Sequence, residues 1–543
     1  MSRGKSTLLG NLAVACLAVF LLTWAPVTAG PGTVDEVFAK YRSSTPGCTA
    51  GVAVDGRRIV IKGYGIADLE HDVPNGEETI FEAGSVSKQF TAAAMLLLAR
   101  DGKLSIDDPV RKYIPELPEY PPQPDEASPG SGVASSKPPA VNAAVVPLTI
   151  RHMLNHTSGL RDWGSVEDIA GWPRTSRVYT HAHVLDIVSR QKSLNFTPGT
   201  HWSYSNTGFN LAAIIVSRVS GMPFTEFTRE RLFNPLGMTS TSWRDDFTRI
   251  VKGRAVAYAE QNGVFRINMP YENVYGNGGL LTTAGDLLKW NENFVTPKVG
   301  DAAFVEEQQT PGTFTNGQPH IYAFGLYVRT YRGVREVSHS GSTAGYRAFL
   351  ARYPDQHTSV AVLCNVASAD PTAMAHQVAD IYLGDRLTPD SPTPLTAADL
   401  VAAAGLYRST LNGETVAIDG ERPALGNRSW TFDAKGAKAL DEHGVAEIYQ
   451  RVDRVNPTEH DLQAYAGTYT SDEAEIVLNI AVENGALVVK RRPAATITLV
   501  PLYADAFGAP RLGTVIFRRD PAGRIVALSV VQERVWDLRF ARQ

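Results

Sequence analysis

The stretch FTAAAMLLLAR, residues 90 to 100, has the make-up of a helix that is apolar on nearly every face. A surface helix needs only an apolar stripe, but a helix apolar all round has to be enclosed by other elements. This predicts a central, buried helix. Its polar start is Ser85-Val86-Ser87-Lys88, and Arg100 in the last turn with Gly102 beyond marks its end. The flanks suggest what encloses it. TAGVAVDGRRIVIKGYGIADLE, from Thr49, reads as two strands around an Asp-Gly turn. FGLYVRTYRGVREVSHSG, YRAFLARYP and TSVAVLCNV read as further strands. The intervening residues, from about 148 to 300, are mainly helical patterns such as GFNLAAIIVSRVSG. Strands near both sequence ends with helices between them predict one mixed domain whose sheet joins the two ends.

That domain does not exhaust the chain. At 543 residues two or three domains are expected. Arg3 and Lys5, an apolar run from Leu12 to Trp24 and the small residues Val27-Thr28-Ala29 read as a secretory signal peptide over 1–29. The expected location is therefore periplasmic or secreted, with membrane contact only during export or if the leader stays uncleaved. Residues 30–388 form the mixed domain, interrupted near 118–147 by a Pro-, Ser- and Ala-rich surface insertion. From 398 to 543 short strand-like runs dominate. LVAAAGLYRS from Leu400 and LQAYAGTYTS from Leu462 agree at six of ten positions, so two related β units are expected, as an antiparallel barrel or sandwich. This region either stabilises the chain or caps its active site. A net charge of -4 and the absence of a Lys/Arg block give no reason to expect nucleic acid as a partner. Oligomeric state is not legible.

Three S-x-x-K patterns occur, and context separates them. Ser2/Lys5 falls in the leader, and Ser189/Lys192 has no partner motif behind it. Ser85 and Lys88 lie one turn apart on one helix face, where partial desolvation and the helix dipole disfavour the lysine's charge and suit it to accept a proton. PGTHWSYSNTGFN places Tyr204-Ser205-Asn206 before another apolar helix, whereas the Y-x-N copies at Tyr271/Asn273 and Tyr275/Asn277 lack that setting. A buried Tyr204 with a lowered pKa is expected to pass protons, and Asn206 to orient the lysine and a substrate amide. His339-Ser340-Gly341 opens a loop between strands, with Gly341 expected to admit substrate to the backbone and the Ser342 N–H to serve as an oxyanion donor. His152 and His156 read as structural, with no clustered metal pattern around them. Cys48 and Cys364 lie in strand-like stretches, and pairing and two buried thiols are equally compatible with that.

In order, Ser85-Val86-Ser87-Lys88, Tyr204-Ser205-Asn206 and His339-Ser340-Gly341 resemble the three motifs of the serine β-lactamase and penicillin-binding-protein superfamily. The resembling branch holds class C β-lactamases, D-alanyl-D-alanine carboxypeptidases, D-aminopeptidases and esterases. IRHMLNHTSGL, GNGGLLTTAGDL and SVAVLCN also look like the family, over about residues 33 to 385. The resemblance implies an α/β fold: an antiparallel sheet flanked by helices, with a helical subdomain. It implies an acyl-enzyme at Ser85, with Lys88 and Tyr204 moving protons and the N–H groups of Ser85 and Ser342 holding the oxyanion. Asn206, His339, Ser340, Gly341 and Ser342 would line the substrate. No metal or organic cofactor is implied. The chain departs from class C β-lactamases in having His339 where they usually carry lysine. A histidine near pKa 6.5 is mostly neutral at pH 7, so a substrate carboxylate would be held weakly, or more strongly in acid. The expected substrate is a small peptide, amide or ester, D-amino-acid peptides and short esters first. The alternatives are a β-lactamase and a non-catalytic penicillin-binding sensor or scaffold. Loops around Trp163, residues near Tyr346 and the C-terminal domain are expected to set specificity. A D-aminopeptidase of this superfamily is similar in carrying β-barrel domains after its catalytic domain.

Overall fold

Asp55 and Gly56 both adopt positive φ, 49° and 72°, as a tight hairpin turn requires. They join β1 (Cys48–Val54) to β2 (Arg57–Tyr64). Four later strands complete the sheet: β3 (Tyr327–Tyr331), β4 (Val334–Thr343), β5 (Tyr346–Tyr353) and β6 (Thr358–Cys364), in the spatial order β3-β4-β5-β6-β1-β2. All neighbours are antiparallel, and β1 pairs directly with β6, so the sheet joins the two ends as expected. The coordinates are a computed structural model that describes residues 32–120, 146–172, 177–389, 396–419, 428–433, 436–441 and 443–543. The expected leader lies outside the described residues, as do most of the expected insertion and part of the Pro-containing link.

Both sheet faces are covered, which explains the unbroken apolar run VAVLC. Side chains alternate along each strand. Ala348 and Leu350 face one core, and Phe349 and Ala351 face the other. The second core is closed by a helix at Pro371–Leu383 and by Phe38, which stacks on Tyr64 at 4.7 Å. The first contains α1 (Lys88–Arg100), whose residues from Lys88 to Leu98 are all buried. It packs on α2 (Asn206–Ser220). Each of its buried leucines contributes about 1.5–3 kcal/mol. Ser85 lies just before this helix, in a 3₁₀ turn over Gly84–Ser87, so Lys88 is the first α-helical residue. Cys48 and Cys364 face each other across β1 and β6 and form a disulfide.

The two C-terminal units repeat one frame. Thr396 and Thr458 each close a capping box with an aspartate three residues on, Asp399 and Asp461. The Tyr407 hydroxyl donates to the Ala403 carbonyl at 2.8 Å, and the Tyr469 hydroxyl donates to the Tyr465 carbonyl at 2.9 Å. Arg451 and Arg542, each on the last strand of its unit, donate to the Ala404 and Ala466 carbonyls, both at 2.6 Å. The first unit is a five-stranded antiparallel sheet among the described residues. The second is a closed eight-stranded barrel, with Gly467–Ser471 pairing to Val535–Arg542, and closure leaves it no free edge.

The barrel is riveted to the first, mixed domain. Buried Arg161 donates to Glu473 at 2.6 Å and to the Asp537 carbonyl at 2.6 Å. Arg491 and Arg492 donate to the Ile169 and Ala170 carbonyls, both at 2.7 Å. No helix among the described residues is long and apolar enough to cross a membrane.

Candidate active site

Lys88 is fully buried, and its Nζ donates to three acceptors: Ser85 Oγ at 3.1 Å, Asn206 Oδ1 at 2.9 Å and the Asn277 carbonyl at 2.8 Å. It lies over the Tyr204 ring at 4.7 Å and the Phe209 ring at 5.5 Å. Thus α1 supplies the lysine and the turn before it the serine, while α2 brings Asn206 as its first residue and Tyr204 just ahead of it. Asn206 is itself held, its N–H donating to Asp162 at 2.7 Å.

Tyr204 differs from the expectation. Burial pushes its phenol well above the ordinary value, outweighing the hydrogen bond with Ser85 and the nearby Arg534 charge. A lowered pKa is therefore corrected: the group rests as a phenol, because low-dielectric surroundings penalise phenolate. His156, read from the sequence as merely structural, packs on this ring at 4.3 Å, and its Nδ1 accepts from the Ser205 N–H at 3.2 Å. Burial and the Lys88 charge hold its pKa well below the ordinary value.

His339 is neutral for reasons the sequence did not carry. Burial first, then Lys88, lower its pKa to about 3. Nδ1 is 2.6 Å from the Ser340 carbonyl, which can only accept, so the proton sits on Nδ1. Nε2 then accepts from the Tyr322 hydroxyl at 2.9 Å. Both ring nitrogens are occupied within the protein. The expectation of stronger carboxylate binding in acid is overturned, since the ring stays neutral down to about pH 3. Gly341 is also needed for another reason than substrate approach. A Cβ there would sit 2.0 Å from the Ala83 carbonyl, so the glycine lets β4 press against the turn that carries Ser85. Gly84 serves the same contact from the other side, with φ at 52° and its absent Cβ 2.6 Å from the Ser342 nitrogen.

Ser85, Tyr204, Asn206, His339, Ser340 and Ser342 all line one cavity of about 450 Å³. Trp163 and Tyr346 do not. Trp163 is buried, donating from Nε1 to Asn210 at 2.9 Å, and the Tyr346 hydroxyl bonds the Ala255 carbonyl. The wall comes instead from Trp202, Tyr327, Glu82, Glu272 and, from the barrel, Glu533 and Arg534. Both carboxylates of the catalytic domain serve Arg244, with Glu82 at 2.8 Å and Glu272 at 3.6 Å. Trp202 in turn carries His443 of the first C-terminal unit on its ring at 4.4 Å. The segment GNGG, passed over by the Y-x-N comparison, contributes the Asn277 carbonyl to Lys88.

A buried Ser-Lys pair, a phenol and an asparagine around one cavity are the parts of a serine acyl-transfer site. The family model described as Beta-lactamase matches residues 34–383. The chain belongs to the Beta-lactamase family. This family member is a serine hydrolase with the β-lactamase/transpeptidase fold, extended by a C-terminal closed barrel. It is similar to a D-aminopeptidase of Gluconobacter oxydans, 26% identical over 92% of this chain and 96% of that protein. It is also similar to penicillin-binding protein 4* of Bacillus subtilis, 27% identical over 56% of this chain and 64% of that one. Among solved structures, the octameric penicillin-binding protein homologue from Pyrococcus abyssi has a TM-score of 0.54 at 20% identity, covering 94% of this chain and 98% of its own.

Proposed function

We propose that this hydrolase is exported and removes D-amino acids from the amino ends of short peptides and amides, with small esters as further substrates. The observation that carries the reading is the end-to-end match to a protein named D-aminopeptidase, which extends through both C-terminal units and not the catalytic domain alone. Neutral His339 supports it, since a β-lactamase-like site would want a cation there to hold the substrate carboxylate. The Cys48–Cys364 disulfide supports export, because such bonds persist in oxidising compartments.

In this reading Lys88, charged at rest, first releases a proton to solvent; it then keeps its bonds to Asn206 and the Asn277 carbonyl and turns the freed lone pair toward the Ser85 hydroxyl. Ser85 Oγ attacks the carbonyl carbon as its proton passes to Lys88, and the N–H groups of Ser85 and Ser342 hold the oxyanion. The tetrahedral adduct collapses, the C–N bond breaks, and the leaving amine takes the proton that the raised pKa keeps on Tyr204. Lys88 reprotonates Tyr204. Water then attacks the acyl-enzyme by the reverse sequence and frees the acid. Asn206 orients the substrate amide, and Ser340 and Gly341 line its path.

Wild type and Ser85→Ala should be compared on D- and L-alaninamide, D-alanyl dipeptides, p-nitrophenyl esters and a cephalosporin. The expected result is D-amides well ahead of L-amides and a loss of at least about 10³-fold in Ser85→Ala. Equal rates on the two enantiomers, or a cephalosporin ahead of every D-amide, would overturn it.

A further inference from the structure

Neutral His339 leaves the third-motif position of the site without a cation, yet the cavity holds one from another part of the chain. Arg534 lies in the two-residue turn between the barrel strands Ile525–Gln532 and Val535–Arg542, and it lines the cavity. Asn195 clamps the turn through both ends of its amide. The Arg534 carbonyl accepts from Asn195 Nδ2 at 3.1 Å, and the Trp536 N–H donates to Asn195 Oδ1 at 3.1 Å. The guanidinium lies over the Tyr204 ring, 4.7 Å from its centre. Among the described residues it makes no hydrogen bond. Of the nearby acids, Asp162 already accepts from the Ser165 and Asn206 N–H groups at 3.2 and 2.7 Å, and Glu533 is exposed and lines the same cavity. A half-buried, planar donor set is thus held in place with its bonding capacity unspent.

Tyr204 delivers its proton to the atom that leaves, so the leaving group lies against the ring on which Arg534 stacks. We infer that Arg534 is a specificity residue that binds an α-carboxylate on the leaving group, so that the preferred substrates are short peptides with a free carboxyl end. A guanidinium suits this because its parallel N–H groups match both carboxylate oxygens. This rests on the assignment of Tyr204 as proton donor in the reading above.

Two substrate pairs test it on the full chain: D-Ala-Gly against D-Ala-Gly amide, and acetate esters of 3-hydroxybenzoate against phenol. Wild type should favour the carboxylate member of each pair in kcat/KM. Arg534→Gln should shrink that preference by about 10- to 100-fold, mainly through KM, and Arg534→Lys should restore part of it. No preference in wild type, or equal loss on both members in Arg534→Gln, would overturn the inference, the latter pointing to a purely structural arginine. The ester pair keeps the two readings apart. If D-peptides are not cleaved but the esters show the Arg534-dependent preference, the D-aminopeptidase reading fails and this one stands. If D-peptides are cleaved without regard to the carboxylate, the reverse holds.

Discussion

The two C-terminal units share a frame and differ in what their turns present to the active site. In both, a capped helical turn leads into a strand whose tyrosine bonds back to the fourth residue before it, and a last-strand arginine ties the same corner. The first unit then offers a neutral ring, His443, to Trp202, whereas the barrel offers Glu533 and Arg534 to the cavity itself. The frame is a packing solution that both units use. The chemistry lies in turn residues the frame leaves free to vary.

Breaking the barrel's rivet should have the largest effect. Glu473→Ala leaves Arg161 buried and uncompensated, and a loss of about 3–5 kcal/mol is expected. Denaturant melting measures it. Replacing both partners, Arg161→Met with Glu473→Leu, should cost less, and a double variant as unstable as the single one would show that the charge itself is not the cause.

Acid should separate the two contacts next. Burial first, then His320 and Arg329, lower the His443 pKa to about 3 from an ordinary 6.5. Its stabilising effect is complete above pH 6.5. It is lost as pH falls from there toward 3, because the unfolded chain takes up a proton that the folded chain refuses. That is about 1.4 kcal/mol per pH unit from this one group. His443→Gln should flatten the stability-against-pH curve by that amount. An unchanged slope would mean that the ring is not held neutral. Arg534 does not titrate in this range, so the barrel's contact with the cavity should persist.

The matched tyrosines test the frame itself. Tyr407→Phe and Tyr469→Phe each remove one buried hydroxyl bond, and both should cost about 1 kcal/mol. Costs differing severalfold in thermal melts would show that the units only look alike. Smallest of all, His443→Ala should raise KM about two- to fivefold with kcat nearly kept, by loosening Trp202 in the cavity wall. A drop in kcat with KM unchanged would place the effect at Ser85 or Tyr204 instead.

The core of the site was legible because its geometry is local. Ser85 and Lys88 need only one helical turn between them, and Tyr204 and Asn206 only the approach to a helix. Their order, with His339-Ser340-Gly341 downstream, was readable as text. The wall was not. Trp163 and Tyr346 themselves are core, although Ser342 and Thr343 near Tyr346 do line the cavity, and His156, read as structural, packs on the Tyr204 ring. Nothing in the string around Glu533 and Arg534 marks it, since an ordinary two-residue turn has no chemical signature.

By itself the sequence determined the enclosed helix, the sheet joining the two ends of the first domain, the repeated β unit and the candidate residues of the site. The helix, the sheet and the repeat follow from periodicity or spacing along a few residues, and the site residues from motif order and the family it resembles. The tertiary structure alone decided which charges survive in the cavity. Desolvation keeps Tyr204 a phenol and His339 neutral, and it depends on every layer packed around them. The cation that His339 does not supply arrives from a barrel turn roughly two hundred residues further along the chain. Contacts over that separation are set by how whole domains dock, and no local pattern encodes them.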